Sequence, residues 1–318
     1  MKFTHFLQVP MTGLGLHGGY RGDTWLINRL EIFNKFVLPS ILAQTNRDFI
    51  LWFNWRAEEQ SNPIVRGFQV KLDKEPLKSI HTFGGILFWD DKYDDKTAAE
   101  KLLRSLEISL PKLKIDTDYV LVSIQPSDDM YLPDTIQRLQ DKFAELLGKS
   151  PDTKKAVGYR RGYIMNYRTK DIAEYMSESW KTDEISTYHT DTIPPFFTYL
   201  FSREEFLDPE KHYKHLGPYH SHEQIADYFD YTALEGRGFI VGTHGENIST
   251  TFNNRYAGRM LSKQEADDIM KKVGILFVKP IVSKISMRHR VRKVLNVLPF
   301  IGIIKKIYYL LPEKLRII

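Results

Sequence analysis

The chain contains no cysteine among its 318 residues. Disulfides, thiolate nucleophiles and cysteine-based zinc sites are therefore excluded, and a reducing compartment fits. There is no Gly-x-x-x-x-Gly-Lys-Ser/Thr, since Gly148-Lys149-Ser150 has Phe143 where the first glycine would stand, so a P-loop is unsupported. The start, Met1-Lys-Phe-Thr-His-Phe-Leu7, has neither the apolar stretch nor the small-residue cleavage site of a secretory signal. The apolar run Val294–Ile304 is eleven residues long, well short of the roughly 20 needed to cross a bilayer. No internal repeat and no low-complexity linker is present.

Hydrophobic residues make up 42% and aromatics 13%, enough for a sizeable core, so one large α/β domain with an appendage is expected. The net charge of +5 hides an asymmetry. Residues 271–318 carry twelve Lys/Arg and a single acid, Glu313, for a net +11. The remaining 33 basic and 39 acidic residues leave 1–270 at −6. The basic character belongs to the tail, not to the body.

Strands are predicted at Phe3–Leu7, Asp48–Asn54, near Ile86–Phe88, at Tyr119–Ile124, Phe196–Phe201 and Arg237–Val241, from short runs of β-branched and aromatic residues. Helical spacing of apolar residues predicts helices over Thr24–Leu42 (bent or ended at Pro39), Thr97–Ile108, Asp134–Leu147, His222–Phe229 and Ser262–Lys272, with Ser262 as cap. Lys155–Tyr167 reads as a hairpin with Arg160-Arg161 at its tip, and Asp171–Thr187 as strand-like. This alternation implies a mixed sheet with helices on both faces. Gly13-Leu-Gly-Leu-His-Gly18 has the letters of a dinucleotide fingerprint, but the helix after it begins too late for its N-terminus to meet a pyrophosphate.

The most informative pair is Asp128-Asp129. It comes after a buried-strand run, Tyr119–Ile124, that Gln125-Pro126-Ser127 stops. The carboxyl end of a strand in an open α/β sheet is where ligands bind. Adjacent carboxylates repel unless a cation neutralises them, and a hard divalent ion shared with a phosphate would do so. The alternative is that one of them caps the helix starting near Asp134.

Asp23-Thr-Trp-Leu-Ile-Asn-Arg29, Ile32-Phe-Asn-Lys-Phe-Val-Leu-Pro-Ser40 and Gln44-Thr-Asn-Arg-Asp-Phe49, taken as a unit, resemble the start of a bacterial family of rhamnosyltransferases with the GT-A glycosyltransferase fold. Ser127-Asp128-Asp129-Met130, with Leu132 and Asp134 after it, resembles the family's aspartate-rich metal motif, and His244-Gly245-Glu246-Asn247 its late His-Gly-x-Asn. The resemblance covers roughly residues 3–255. Pro126 and Gln125 stand where the family usually has an acid and an arginine.

The resemblance implies a GT-A-like domain over 1–260 and a basic amphipathic helical extension over 261–318. It implies transfer of a sugar from a nucleotide-sugar to a bacterial surface polysaccharide or glycolipid, assisted by Mn2+ or Mg2+. Asp129 would bind the metal directly. Asp128 would share it or bond the donor's ribose or sugar, and His244 would add a ligand or meet the diphosphate. Asn247 would contact the acceptor or cap a turn. A base for the acceptor hydroxyl would come from Glu223, His222, His220 or Asp191; Glu223 is equally explained as a helix N-terminal charge. Arg160, Arg161 and Arg168 are either phosphate contacts or solvated surface, and Trp52, Trp55, Trp89 and Tyr163 either stack on base and sugar or fill the core. The departures at Gln125 and Pro126 keep two alternatives open, a non-catalytic membrane-associated scaffold and a nucleotidyltransferase.

In the tail, Arg288, Arg290, Arg292 and Lys293 precede the apolar run, and Lys305-Lys306 and Tyr308-Tyr309-Leu-Leu311 come after it. This composition suits reversible attachment to an anionic leaflet, so the expected location is cytoplasmic and peripheral on the inner face of the cell membrane. The alternative is a helical hairpin packed on the body or on a partner. Nucleic acid is not expected, given the acidic body and the Ile/Leu/Val content between the tail charges.

Overall fold

The computed structural model describes residues 1–12, 22–84, 95–176, 194–217, 225–244, 252 and 257–275. The Gly13–Gly18 loop, the strand expected near 86–88 and the tail beyond 275 lie outside them. In chain order the strands are β1 (Thr4–Pro10), β2 (Ile50–Asn54), β3 (Lys78–Thr82), β4 (Tyr119–Ile124), β5 (Met130–Tyr131), β6 (Lys155–Asn166), β7 (Ile172–Met176), β8 (Phe197–Ser202), β9 (Asp230–Thr243) and β10 (Ala257–Met260). The helices are α1 (Asp23–Ile32), α2 (Leu38–Leu42), α3 (Pro63–Leu72), α4 (Asp95–Ser109), α5 (Thr135–Lys149), α6 (Arg203–Leu207), α7 (Pro209–Leu216), α8 (Ile225–Tyr228) and α9 (Lys263–Lys272).

One mixed sheet joins all the described strands, in the order β10-β7-β6-β8-β4-β1-β2-β3, with β9 alongside β6 and β5 on β9. β3, β2, β1 and β4 run parallel, and β8 pairs antiparallel to β4. The chain leaves β1 toward β2 on one side, while β4 returns on the other. The carboxyl ends of β1 and β4 therefore flank a topological switch point, the place where such sheets open a crevice.

Successive strand residues feed opposite faces. Leu7, Val9, Leu51, Phe53 and Leu121 pack with Leu30 of α1, Phe68 of α3 and Phe143 of α5. Phe6, Trp52, Val120 and Val122 pack on the other face with Leu106 of α4, Phe206 of α6 and Ile225 of α8. Both faces are apolar because both are covered, as parallel strands require. Trp52 and Trp55 are fully buried members of these clusters, so core filling is their role.

The expected hairpin at 155–167 is instead one continuous strand, β6. Its glycines are explained by packing: a Cβ at Gly162 would stand 2.5 Å from the Phe239 ring. The short helices α6 and α7 carry clear caps that periodicity does not detect. Ser202 and Glu205 form a capping box, and Asp208 accepts from Glu210 N and Lys211 N ahead of a proline-started turn.

Pro39 does not end its helix. A π-helical turn, Phe33–Val37, lies between α1 and α2 just ahead of it. Proline lacks the N–H and its ring meets the carbonyl four residues back. A widened turn at that point lets the chain continue. The same turn aims Phe36 inward, where its ring stacks on Tyr167 at 3.8 Å and 3°.

Ile32, Phe36 and Tyr167 belong to a third cluster with Met130, Ile240, Ile269, Val273 and Ile275. α9, capped by Ser262 as its sequence predicts and with Glu265 completing a capping box, thus packs on the body together with Val273 and Ile275 just beyond it. The predicted division at 260/261 falls ahead of this packed segment. Replacing Phe36 by alanine is expected to cost about 3–5 kcal/mol in urea unfolding, because it opens a cavity under Tyr167.

Candidate active site

β4 delivers the chain to the crevice, and Gln125 shapes the turn at its end. The Gln125 backbone N–H extends the β1 ladder by bonding Gln8 O at 2.8 Å. Its side-chain Nε2 donates to the carbonyls of Pro126 and Asp129, both at 2.9 Å, which folds 125–129 into a closed turn. β5 then pairs with Phe239 and Ile240 of β9. The Asp128-Asp129 turn is therefore held against the carboxyl end of β9.

Asp128 lies at the centre. Its Oδ2 receives Arg29 Nη1 of α1 at 2.5 Å and His244 Nε2 at 3.0 Å. Its carbonyl accepts from the Tyr167 hydroxyl at 2.6 Å. Since an ionised carboxylate only accepts, His244 carries its proton on Nε2. The Arg29 guanidinium also lies over the Trp25 ring, 5.4 Å from its centroid. Asp129 is 8% exposed, and its Oδ1 accepts the Gly242 N–H at 2.7 Å. Only glycine fits at 242, since a Cβ there would meet Asp128 O at 2.1 Å and Tyr167 Oη at 2.3 Å. Neither aspartate carboxylate caps α5, the alternative left open by the sequence.

The two carboxyls are driven apart. Burial would raise Asp128, but the Arg29 charge and the His244 contact outweigh it and hold the group below its ordinary range. Burial and the Asp128 charge together push Asp129 well above its own, against a smaller pull from Gly242 N–H and Arg29. Burial, with both aspartates nearby, also raises the Tyr167 phenol, which stays a donor.

Of the residues singled out from sequence, the structure brings Asp128, Asp129 and His244 together. Arg160 and Arg161 lie mid-strand in β6. Arg161 is in register with Arg237, five positions before Gly242, so about 16 Å along the strand from the aspartates. Arg168 is nearer, in the exposed turn after Tyr167 that Asn166 Oδ1 ties down. Tyr163 lies under Arg237, 5.2 Å from its ring centroid. Asp191, His220, His222, Glu223, Asn247 and Trp89 lie outside the described residues. Three site residues escaped sequence reasoning: Arg29, Tyr167 and Gly242. Arg29 sits within the Trp-Leu…Arg helix, but nothing local indicates that it crosses to Asp128.

Two carboxylates and an imidazole are donor types that a hard divalent ion accepts. Asp128 Oδ2 is committed to Arg29 and His244. Asp129 is the residue whose charge the fold leaves poorly balanced, and so the one with reason to take a cation. Among the described residues no group of three or more His, Asp or Glu is gathered to hold a metal alone. Substrate phosphate and water would complete the shell, as at Mg2+ sites generally.

No protein-family model matches the chain, and no curated protein matches it in sequence. Solved structures similar to it include S. aureus TarS residues 1–349, at 10% identity over 85% of this chain and 70% of that one, with a TM-score of 0.34. The longer S. aureus TarS matches at 10% identity over 98% of this chain and 50% of its own length, with a TM-score of 0.33. S. aureus TarS 1–349 in complex with UDP matches at 11% identity, over 99% and 85%, with a TM-score of 0.35. Likeness at this level carries no weight for activity, and the site's own geometry has to supply it.

Asp129 holds its proton more tightly in the fold than in the unfolded chain, so the folded state loses stability as pH rises from about 4 through the raised value, by at most about 1.4 kcal/mol per unit. D129N keeps an acceptor for Gly242 N–H and removes the charge. Denaturant unfolding is expected to find it level with wild type near pH 4 and increasingly more stable toward pH 8. D128A should instead lose about 3–5 kcal/mol, because Arg29 is left buried without a counter-charge.

Proposed function

We propose that this protein is a glycosyltransferase that moves a sugar from a nucleotide-sugar to a hydroxyl of a bacterial surface polysaccharide or glycolipid. The observation that carries the reading is the Asp128-Asp129 turn at the carboxyl end of β4, on the switch-point crevice, with Arg29 and His244 converging on it. A phosphate-binding crevice of this kind brings acid and cation together where a diphosphate would lie. The GT-A resemblance in the sequence points the same way.

In the transfer, the bond from the anomeric carbon to the diphosphate oxygen breaks and its electron pair leaves with the nucleotide. The acceptor oxygen bonds the anomeric carbon, and its proton passes to a base. Asp191, His222 and Glu223 are the candidates for that base, and Asn247 for the acceptor contact. Asp129 would hold Mn2+ or Mg2+, with Asp128 and His244 beside it; such an ion supplies charge neutralisation at the leaving diphosphate. Asp128 orients Arg29 and His244, and Tyr167 fixes the Asp128 backbone. Arg160 and Arg161, distant from the aspartates, would serve the nucleotide only at its far end.

Calorimetry with UDP, the nucleotide held in one TarS structure, and with other nucleoside diphosphates tests the assignment. Wild type should bind at least one of them more tightly with Mn2+. D129N should lose Mn2+ affinity by more than the roughly 10–100-fold that removal of an outer contact costs. Failure of wild type to bind any nucleoside diphosphate, or to release one from any nucleotide-sugar, would reject it.

The basic tail would bring this chemistry to a membrane surface carrying lipid-linked acceptors. No helix among the described residues is long and apolar enough to cross a membrane. Full-length chain should float with anionic vesicles and residues 1–275, which keep the packed α9 segment, should not; equal flotation would remove the anchor.

A further inference from the structure

We propose that Arg29, braced by Asp128 and the Trp25 ring, is a phosphate-binding residue of the crevice, donating to the diphosphate of the nucleotide received at the Asp128-Asp129 turn. The proposal deepens the glycosyltransferase reading and rests on it.

A guanidinium presents five N–H donors in a planar fork. Among the described residues, the polar partner of Arg29 is Asp128, met through Nη1. The Trp25 ring covers one face of the fork without using any donor. Among the described residues, most of the fork's hydrogen-bonding capacity is thus uncommitted, although the side chain is only 8% exposed.

Position points the same way. α1 is the first helix after β1, so Arg29 enters the switch-point crevice from the β1 side while the aspartate turn enters from β4. Asp128 and Trp25 fix the rotamer, which lowers the entropy lost when an anion binds. The stability argument for the ion pair is weak in comparison. A buried Arg–Asp pair is often replaceable by apolar side chains at no cost, because desolvation offsets the attraction. Stability by itself therefore does not account for a guanidinium at this place.

The charge count is also apt. Arg29 and Asp128 cancel, and an ionised Asp129 leaves the corner negative, which suits a cation but repels a diphosphate. A guanidinium within the same corner supplies the directed donors that a diphosphate needs, and a bidentate geometry that lysine lacks.

The test uses the full chain and three variants: R29M, R29K and the paired R29M/D128L, which exchanges the ion pair for apolar groups of similar volume. Thermal melts establish folding. Calorimetry with inorganic pyrophosphate, UDP and uridine, and Mn2+ titration by electron paramagnetic resonance, give the readouts. R29M is expected to weaken pyrophosphate and UDP by about ten- to a hundredfold, the range for a lost hydrogen bond to a charged group. R29K should recover part of that, uridine affinity should be unchanged, and Mn2+ affinity should not fall, because a positive charge has been removed beside the ion.

Folded R29M binding pyrophosphate and UDP as wild type does would overturn the proposal. If R29M alone does not fold, the same comparison is read from R29M/D128L, and retained pyrophosphate affinity there has the same consequence. Wild type that binds neither pyrophosphate nor any nucleoside diphosphate would overturn the glycosyltransferase reading itself, and this proposal with it.

Discussion

The buried contact between Arg29 and Asp128 is the constraint on which the rest of the site depends. It joins the first helix to the turn after β4, and through His244 it also fastens the end of β9. Three segments distant in sequence meet on a single carboxylate oxygen. Desolvating both charges is expensive, and their mutual attraction roughly offsets that cost only when the geometry is good. The contact therefore contributes position more than stability. Its second effect is on the neighbour: with Asp128 held ionised, Asp129 cannot ionise easily, and the pair is split into one fixed anion and one carboxyl open to charge neutralisation.

The supporting shell explains why this arrangement holds its shape. Tyr167 grips the Asp128 carbonyl and is itself clamped by the Phe36 stack. Phe36 owes its aim to the π-helical turn that Pro39 requires. Gly242 lets β9 approach close enough to donate to Asp129. On the outer side, Ile269, Val273 and Ile275 press on the same small core. The segment leading to the basic tail thus packs against residues that position the aspartates, so the tail's point of departure lies close in space to the site.

Much of the fold was legible because local signals and tertiary demands agreed. The strand at Tyr119–Ile124 and the helix capped by Ser262 were both readable from apolar run, proline stop and cap chemistry. β6 was misread because two glycines and two adjacent arginines imitate a turn, while the glycines are there for close packing, Gly158 against Phe196 and Phe197 and Gly162 against the Phe239 ring. α6 and α7 were missed because they are shorter than the window over which helical periodicity is detectable. The aspartate pair was legible from its place after a strand, whereas the identity of its partners was not.

From the amino-acid order alone came the alternation that covers both faces of a sheet, the acidic pair at a strand's end and the separation of a basic tail from an acidic body. These are local or compositional quantities, set by periods of two and 3.6 residues and by charge. The tertiary structure alone decided that Arg29 and His244 would meet Asp128, that Gly242 would meet Asp129, and that Arg160 and Arg161 would stand well away. Contacts across about a hundred residues or more carry no local signature, because they are settled by which strands pair and which helix faces are buried, and those choices are made by the whole core at once.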